Sequence, residues 1–298
     1  MPHRNSPLVS IITVNYDGLE DTLDLIRSVE KVNYPTWELW VVDNGSELDP
    51  GESIKSLFPD VHVIRSEENL GFAGGNNLAV HQAKGDYLFF VNNDSILHPD
   101  CLQILVETAE SLPNLGAISP KFHYYHHSNL IEFAGCSQVN LLTARNHAVL
   151  NKKQDDGITG LIETSYVHGA GMLVPKRVIQ LVGTMDASFF LYYEELDWCE
   201  RIRRAGFNIY CQRNALMFHK ESATVGKQSP LKTYYLNRNR ILFMRRNFPF
   251  PKNLPFIVYL LLISIPSNLL RFILKGEREH LRAYLKGVYW HINPKVSL

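Results

Sequence analysis

The N-terminal third of the chain alternates short apolar runs with segments of helical periodicity. Unbroken apolar runs are typical of strands buried on both faces, and alternation with helices is typical of a parallel sheet. The predicted strands are Leu8–Thr13, Trp37–Val42, His62–Arg65 and Tyr87–Val91. The predicted helices carry Leu19 to Val29, Ser53–Phe58 and Gly71–Ala83. This order predicts an α/β fold with helices on both faces of the sheet.

Polar clusters follow three of these strands. Asn15 ends the first, Asp43 the second, and Asn92–Asp94 the fourth. Asn and Asp are also common in turns, and a turn alone would explain any one of these clusters. Three clusters at the carboxyl ends of strands, where ligands of such sheets bind, favour a nucleotide pocket.

Two segments have the chemistry of a nucleotide-diphosphate site. Glu68–Asn77 is glycine-rich, follows a strand and opens a helix, so its backbone can approach a phosphate or ribose closely. Asn92–Asp94 supplies one carboxylate, which can hold Mg²⁺ or Mn²⁺ together with diphosphate oxygens and water. Each segment is a weak signal alone, because glycine-rich helix starts are often only tight turns.

A third segment offers candidate general bases. Glu194, Glu195 and Asp197 follow the aromatic run Phe189–Tyr193 and open a helix whose later turn is basic. Acids at the start and bases at the end of a helix also complement its dipole, which is the structural alternative. Burial against aromatic rings would raise the pKa of a carboxyl group and make it a competent base.

Five segments in order and spacing resemble glycosyltransferase family 2, over roughly residues 8–245. They are Ile11–Tyr16, Val41–Ser46, Asn69–Asn76, Asn92–Asp94 and Phe190–Asp197. Within the family the chain is most similar to the rhamnosyltransferase-like branch. The resemblance implies the GT-A fold, a Rossmann-like, mixed and mostly parallel sheet flanked by helices, with a C-terminal helical tail. It places the catalytic domain at 1–228, with a nucleotide-binding half at about 1–120, an acceptor-binding half at about 121–228 and the tail at 229–298.

The resemblance also implies roles for individual residues. Nucleotide-sugar binding falls on Thr13, Asn15, Asp43, Asn44, Gly71, Gly74, Asn76, Asn93 and Gly169. The metal ligands implied are Asp94 and His219, and Asn92 stands where the family often has a first Asp, which leaves metal dependence open. The catalytic base falls on Glu195, with Glu194 and Asp197 as alternatives.

The function implied is an inverting glycosyltransferase. It would use Mg²⁺ or Mn²⁺ and move rhamnose from dTDP-rhamnose to a saccharide or lipid-linked acceptor in bacterial surface polysaccharide synthesis. One alternative is a sugar nucleotidyltransferase, although residues 8–18 lack its longer glycine-rich loop with a basic residue. Another is a non-catalytic, membrane-associated assembly subunit with a degenerate pocket, for which Asn92 is the support.

Formal charge divides the chain. Residues 1–228 carry 18 basic and 28 acidic side chains, net −10, whereas residues 229–298 carry 12 and 2, net +10. The acidic body argues against nucleic acid as a partner. The basic tail contains the uncharged stretch Asn253–Leu270, with 12 apolar residues in 18, interrupted by Pro255 and Pro266. It predicts either a helix on an anionic membrane surface or a helix packed on the body. Without a predicted secretory segment, we expect a cytoplasmic protein, peripheral on the inner face of the cell membrane.

Overall fold

The computed structural model describes residues 6–220 and 229–293, so the predicted boundary after residue 228 lies outside the described residues. Ten strands form one sheet. The strands are β1 Val9–Asn15, β2 Trp37–Asn44, β3 His62–Ser66, β4 Tyr87–Val91, β5 Ser95–Leu97, β6 Leu115–Tyr124, β7 His127–Phe133, β8 Leu161–Glu163, β9 Gly171–Pro175 and β10 Asn208–His219. The helices are α1 Leu19–Val29, α2 Gly51–Leu57, α3 Gly71–Val80, α4 Cys101–Ser111, α5 Lys176–Val182, α6 Glu194–Arg204, α7 Pro230–Asn247, α8 Leu254–Tyr259, α9 Ile265–Leu274 and α10 Arg278–Tyr289. A 3₁₀ turn, Ala187–Phe189, precedes α6, and a π-helical segment, Leu260–Ser264, joins α8 to α9.

The strand order is β3-β2-β1-β4-β9-β6-β10-β5, with β7 beside β6 and β8 beside β10. The four strands predicted from apolar runs all form, and β1 pairs in parallel with both β2 and β4, as β2 does with β3. The second half adds antiparallel pairings, first between β4 and β9. The α/β prediction is therefore confirmed, with parallel pairing concentrated in the N-terminal half.

The register of this sheet gathers the polar clusters at one edge. Asn15 at the end of β1 lies directly opposite Asp43 at the end of β2. β4, between β1 and β9, ends at Val91, immediately before Asn92–Asp94. All five residues of β4 are buried, as expected for a strand covered on both faces.

The tail helix α7 packs on the catalytic body. It contacts α6 and the 3₁₀ turn, and α10 packs along it. The sequence pattern predicts a basic face containing Arg238 and Arg240, but both are buried, and that interpretation is wrong for them. The Arg238 guanidinium donates to backbone carbonyls and lies 4.8 Å from the ring centres of Tyr235 and Trp290, which explains how it is accommodated.

Leu254–Leu274 forms one continuous helix through α8, the π-helical segment and α9. The prolines do not interrupt it. Pro255 occupies the first turn, where its missing N–H costs nothing, and the π-helical segment immediately precedes Pro266 and relieves its clash with the preceding turn. Among the described residues, this helix of 21 residues is the one long and apolar enough to cross a membrane by length and composition, and only 17% of its most apolar window is buried.

Candidate active site

A cleft of about 200 Å³ opens at the carboxyl ends of β1, β2 and β4. Of the predicted donor and metal residues, Asn44, Gly71, Asn93 and Asp94 line it. The other lining residues are Val14, Tyr16, Asn69, Phe72, Asn92, Phe190, Leu191 and Leu231. The strand ends predicted from the sequence therefore meet at a cavity whose lining includes one acid, Asp94, and the exposed ring of Tyr16.

Asn15, Thr13 and Asp43 lie just beneath the cleft rather than on its surface. The Asn15 amide donates to Asp43 Oδ1 at 2.9 Å and to Ser46 Oγ at 3.1 Å, so it orients the carboxylate. Asp43 Oδ2 and Thr13 Oγ1 are buried without a hydrogen-bond partner, and Arg65 Nη1 lies 3.7 Å from the former. Buried polar atoms without a partner are rare in folded proteins, and here they lie next to the cleft, where a ligand could supply the missing hydrogen bonds.

The glycine-rich loop is held from two sides. The Asn44 amide donates to Asn69 Oδ1 at 3.0 Å and to the Gly71 carbonyl at 3.1 Å. Gly71 has a φ of +72°, and the Phe190 carbonyl fills the space that a side chain would need. The same carbonyl accepts from the Phe72 amide at 2.7 Å, so the loop and the aromatic run are joined at this glycine.

The other residues predicted to bind the nucleotide sugar lie in several places around the cleft. Gly74 and Asn76 are buried in the first turns of α3, and Asn76 Oδ1 has no hydrogen-bond partner. The Asn93 amide donates to Thr22 Oγ1 at 3.1 Å and so ties the β4 end to α1. Gly169 lines the neighbouring cavity described below.

Asp94 and His219 form the candidate metal site. His219 Nε2 lies 3.2 Å from Asp94 Oδ1, and Glu132 Oε1 lies 2.9 Å from His219 Nδ1. These two carboxyl groups raise the pKa of His219 to about 10 against the effect of burial. Within the described residues, no group of three or more His, Cys, Asp or Glu side chains is arranged so that all of them could ligate one metal ion.

The residues present fit a divalent ion. Two adjacent ligands of an octahedral ion lie about 3 Å apart at bond lengths near 2.1 Å, close to the Asp94–His219 separation. A carboxylate on the second ring nitrogen, as Glu132 provides, is the usual support of a metal-bound histidine. Two protein ligands leave positions for diphosphate oxygens and water.

A second cavity, of about 360 Å³, contains the candidate base. Glu194 and Glu195 line it, together with His168, Gly169 and the aromatic Tyr192. Burial raises the pKa of both carboxyl groups, and for Glu194 the charge of Glu195 adds to the rise. Glu195 is half-buried, whereas Glu194 is buried with Oε2 unpaired. Glu195 is thus the more accessible of two carboxyl groups poised to accept a proton.

Asp197 is placed differently from the two glutamates. Its carboxylate accepts from Arg201 Nε at 2.8 Å and from the Asn247 amide at 2.8 Å, and it lines neither cavity. Both carboxylate oxygens are therefore engaged in joining α6 to α7 and to its own next turn.

The segment before α6 is backbone-strained and clamped. Phe190, Tyr192 and Tyr193 have φ values of 65°, 69° and 74°. The buried Asn239 amide donates to the carbonyls of Phe189, Leu191 and Tyr192 at 2.7, 2.7 and 2.8 Å. The clamp from α7 thus sets the position of the residues that lead into Glu194 and Glu195.

The two cavities adjoin. Phe72, Asn92 and Leu191 line both of them. A ligand group bound in the cleft beside Asp94 would therefore be next to a group bound in the second cavity beside Glu195.

Comparison with known proteins identifies the family. The family model described as Glycosyl transferase family 2 matches residues 10–178, more than half of the chain. The chain belongs to glycosyl transferase family 2. Among its family 2 relatives, the low-salt glycan biosynthesis hexosyltransferase Agl10 of Haloferax volcanii is 28% identical, over 97% of this chain and 92% of that protein. The dTDP-rhamnosyl transferase RfbF of Shigella flexneri is 24% identical, over 95% and 96%.

The family 2 chain also has a close structural neighbour. The crystal structure of GalNAc-T7 with UDP, GalNAc and Mn²⁺ superposes with a TM-score of 0.70 at 15% identity, covering 99% of this chain and 59% of that one. The GT-A fold expected from the sequence is confirmed. Both relatives are named for sugar transfer, so this family 2 member is a glycosyltransferase with relatives in glycan biosynthesis.

Several site residues of this glycosyltransferase were not predicted from the sequence. Glu132 lies on β7, where no local sequence pattern singles it out. Asn239 and Arg238 lie on α7, where the sequence pattern predicts a basic face that includes Arg238 and gives Asn239 no role. Tyr16 and Asn69 had a usable signal, since they stand within segments already recognised as functional.

Proposed function

We propose that this chain transfers a sugar, with inversion, from a nucleotide donor to a hydroxyl of a saccharide or lipid-linked acceptor. The observation that carries the proposal is the adjacency of the two cavities, one beside Asp94 and His219 and the other beside Glu195, with Asn92 in the shared wall. Displacement at an anomeric carbon needs leaving-group stabilisation on one side and a base on the other, which this arrangement offers.

The donor side is built for a nucleoside diphosphate. We place the ribose and base beside Asp43 and Thr13, whose buried Oδ2 and Oγ1 atoms lack a hydrogen-bond partner, and the diphosphate beside Gly71, which lines the cleft. Asp94 and His219 would hold Mg²⁺ or Mn²⁺, which when bound would supply Lewis-acid stabilisation of the departing diphosphate. Asn92, in place of a second acid, lowers the negative charge of this site by one compared with an acid pair.

The acceptor side is built for proton removal. Glu195 takes the proton from the acceptor hydroxyl as that oxygen attacks the anomeric carbon, and one displacement by one base inverts the configuration. The raised pKa of Glu195 makes it a stronger base than an exposed carboxylate. Phe72 and Leu191 supply apolar surface that limits access of water to the reacting groups.

The donor we propose is dTDP-rhamnose, with a role in bacterial surface polysaccharide synthesis. Support comes from the RfbF relative, which is named a dTDP-rhamnosyl transferase and aligns over nearly the full length of both chains. The net charge of +10 over residues 229–298 and the exposed apolar helix Leu254–Leu274 support peripheral attachment to an anionic membrane from the cytoplasmic side.

Nucleotide release from a panel of donors, with Mn²⁺ and a glycan-lipid extract as acceptor, tests this function. We expect dTDP release from dTDP-rhamnose, and Glu195→Gln should reduce it by about 10²–10⁴-fold while donor binding is retained. Glu163→Gln, an exposed glutamate on β8, is the matched control and should keep full activity. Donor binding without turnover under any condition would favour the assembly-subunit alternative. Formation of a nucleotide sugar from nucleotide and sugar phosphate would favour the nucleotidyltransferase.

A further inference from the structure

A third cavity, of about 530 Å³, lies between α7, α9 and the segment around Arg145. Its walls carry five Lys or Arg side chains, one histidine and a single acid, Glu277. The basic residues are Arg145, Lys232, Arg240, Arg271, Lys275 and His280. Five permanent cations against one carboxylate leave an excess of four positive charges. Nothing in the sugar-transfer site described above uses them.

In the described part of the chain, no carboxylate pairs with these cations. Within residues 6–220 and 229–293, none of the five Lys or Arg side chains forms an ion pair with a carboxylate. Arg240 is the most telling, because it is only 3% exposed and its Nε has no hydrogen-bond partner. Its Nη2 donates to Ser264 Oγ at 2.9 Å, a neutral group. A buried cation without a counter-charge is costly, and a bound anion would offset that cost.

The basic cavity abuts the cavity of the catalytic base. Tyr193 and Arg145 line the basic cavity, and the residues next to them in sequence, Tyr192 and Asn146, line the cavity that contains Glu195. The Tyr193 hydroxyl donates to the Ala144 carbonyl at 2.9 Å and closes the wall between the two. A charged group bound in the basic cavity would thus lie close to an acceptor hydroxyl bound beside Glu195.

An apolar surface adjoins the same cavity. Arg271 and Lys275 line it from the end of α9, and Ile273 and Leu274 between them are 62% and 76% exposed. Leu262, in the π-helical segment of the same helix, is 72% exposed. Cations beside uncovered apolar side chains match a ligand that joins phosphate to a lipid chain.

We propose that the basic cavity binds the diphosphate of a lipid-linked acceptor and so presents the acceptor sugar to Glu195, an inference that rests on the proposed sugar transfer. The excess of four positive charges suits a diphosphate diester better than the single charge of a phospholipid headgroup. The lipid chain leaves along the exposed face of α9. Arg240 forms the base of the site, and Arg271 and Lys275 form its rim.

Vesicle co-sedimentation of the full-length chain tests this without turnover. Three kinds of vesicle are compared: phosphatidylcholine alone, phosphatidylcholine with a polyprenyl diphosphate, and phosphatidylcholine with enough phosphatidylglycerol to give the same total charge as the diphosphate vesicles. We expect wild type to bind the diphosphate vesicles about tenfold or more tightly than the phosphatidylglycerol vesicles, and inorganic pyrophosphate to compete. Arg271→Gln with Lys275→Gln should remove this preference. Arg278→Gln with Arg282→Gln, two exposed basic residues outside the cavity, is the charge-matched control and should keep it.

Equal binding to both anionic vesicles, or equal loss in the two double variants, would overturn the proposal in favour of general surface charge. Competition by inorganic phosphate as strong as by pyrophosphate would also overturn the diphosphate assignment. Thermal stabilisation by dTDP, unchanged in both double variants, verifies that they are folded. Donor turnover measured on the same preparations tests the sugar-transfer function separately, because a chain that binds the diphosphate vesicles but releases no nucleotide retains the cavity and loses the function.

Discussion

Glu132 Oε1 lies 2.9 Å from Nδ1 of His219, whose other ring nitrogen faces Asp94. β7 provides Glu132 and β10 provides His219, and both strands pair with β6, so the sheet brings these distant segments together. The carboxylate fixes the orientation of the ring.

Replacing Glu132 by Gln should therefore weaken metal-supported donor binding. We expect the Mn²⁺ concentration for half-maximal donor binding to rise about 10–100-fold, since such supporting carboxylates contribute that much to affinity. Calorimetric titration of the donor at several Mn²⁺ concentrations measures it, with Glu163→Gln as control. An unchanged Mn²⁺ requirement would show that His219 is not a ligand.

The pH profile should identify the base. Burial raises the pKa of Glu195, and the base must be deprotonated, so kcat/KM should fall as the pH is lowered through that raised value. We expect the acidic limb to lie above the ordinary glutamate pKa of about 4.3. The limb should persist in Glu194→Gln. A limb near pH 4 would contradict the assignment.

Glu194 should make stability depend on pH in the direction opposite to that of a salt-bridged acid. Its pKa is raised in the folded protein, so its contribution is complete below the unfolded pKa, about 4.3, and is lost as the pH rises towards the folded value. Relative to Glu194→Gln, wild type should lose up to about 1.4 kcal/mol per pH unit across that window. Urea denaturation at a series of pH values measures it, and a constant difference would disprove it.

The clamp on the aromatic run should be essential to the site. Asn239→Ala leaves the carbonyls of Leu191 and Tyr192 without this donor, whereas the Phe189 carbonyl keeps the Arg238 guanidinium. We expect a loss of about 2–3 kcal/mol in unfolding free energy, with reduced turnover. Asn237→Ala is the matched control on the same helix, because among the described residues its amide donates only to the Thr233 carbonyl of its own helix. Equal losses in the two variants would refute the clamp.

The sequence predicted those parts of the structure whose signals are local. The apolar run Tyr87–Val91 identifies β4 by itself, and Asp94 follows it directly, so the acid is placed at the strand end. Glu132 and Asn239 act through contacts with residues about 50 to 90 positions away, and no local pattern marks them. The burial of Arg240 could not be predicted for the same reason. Periodicity shows which residues share a face of a helix, but which face is buried depends on the part of the protein that the helix packs against.

The dependence of the strained aromatic run on α7 has a consequence for protein engineering. The family match ends at residue 178, yet the glutamates lie at 194 and 195, and the helix that holds their approach in place runs to Asn247. Residues 186–204 and 230–247 form one structural unit, because the turn, the acids and the clamp support each other. Chimeras made to change the sugar donor should exchange the N-terminal half as a module and keep that unit from a single parent.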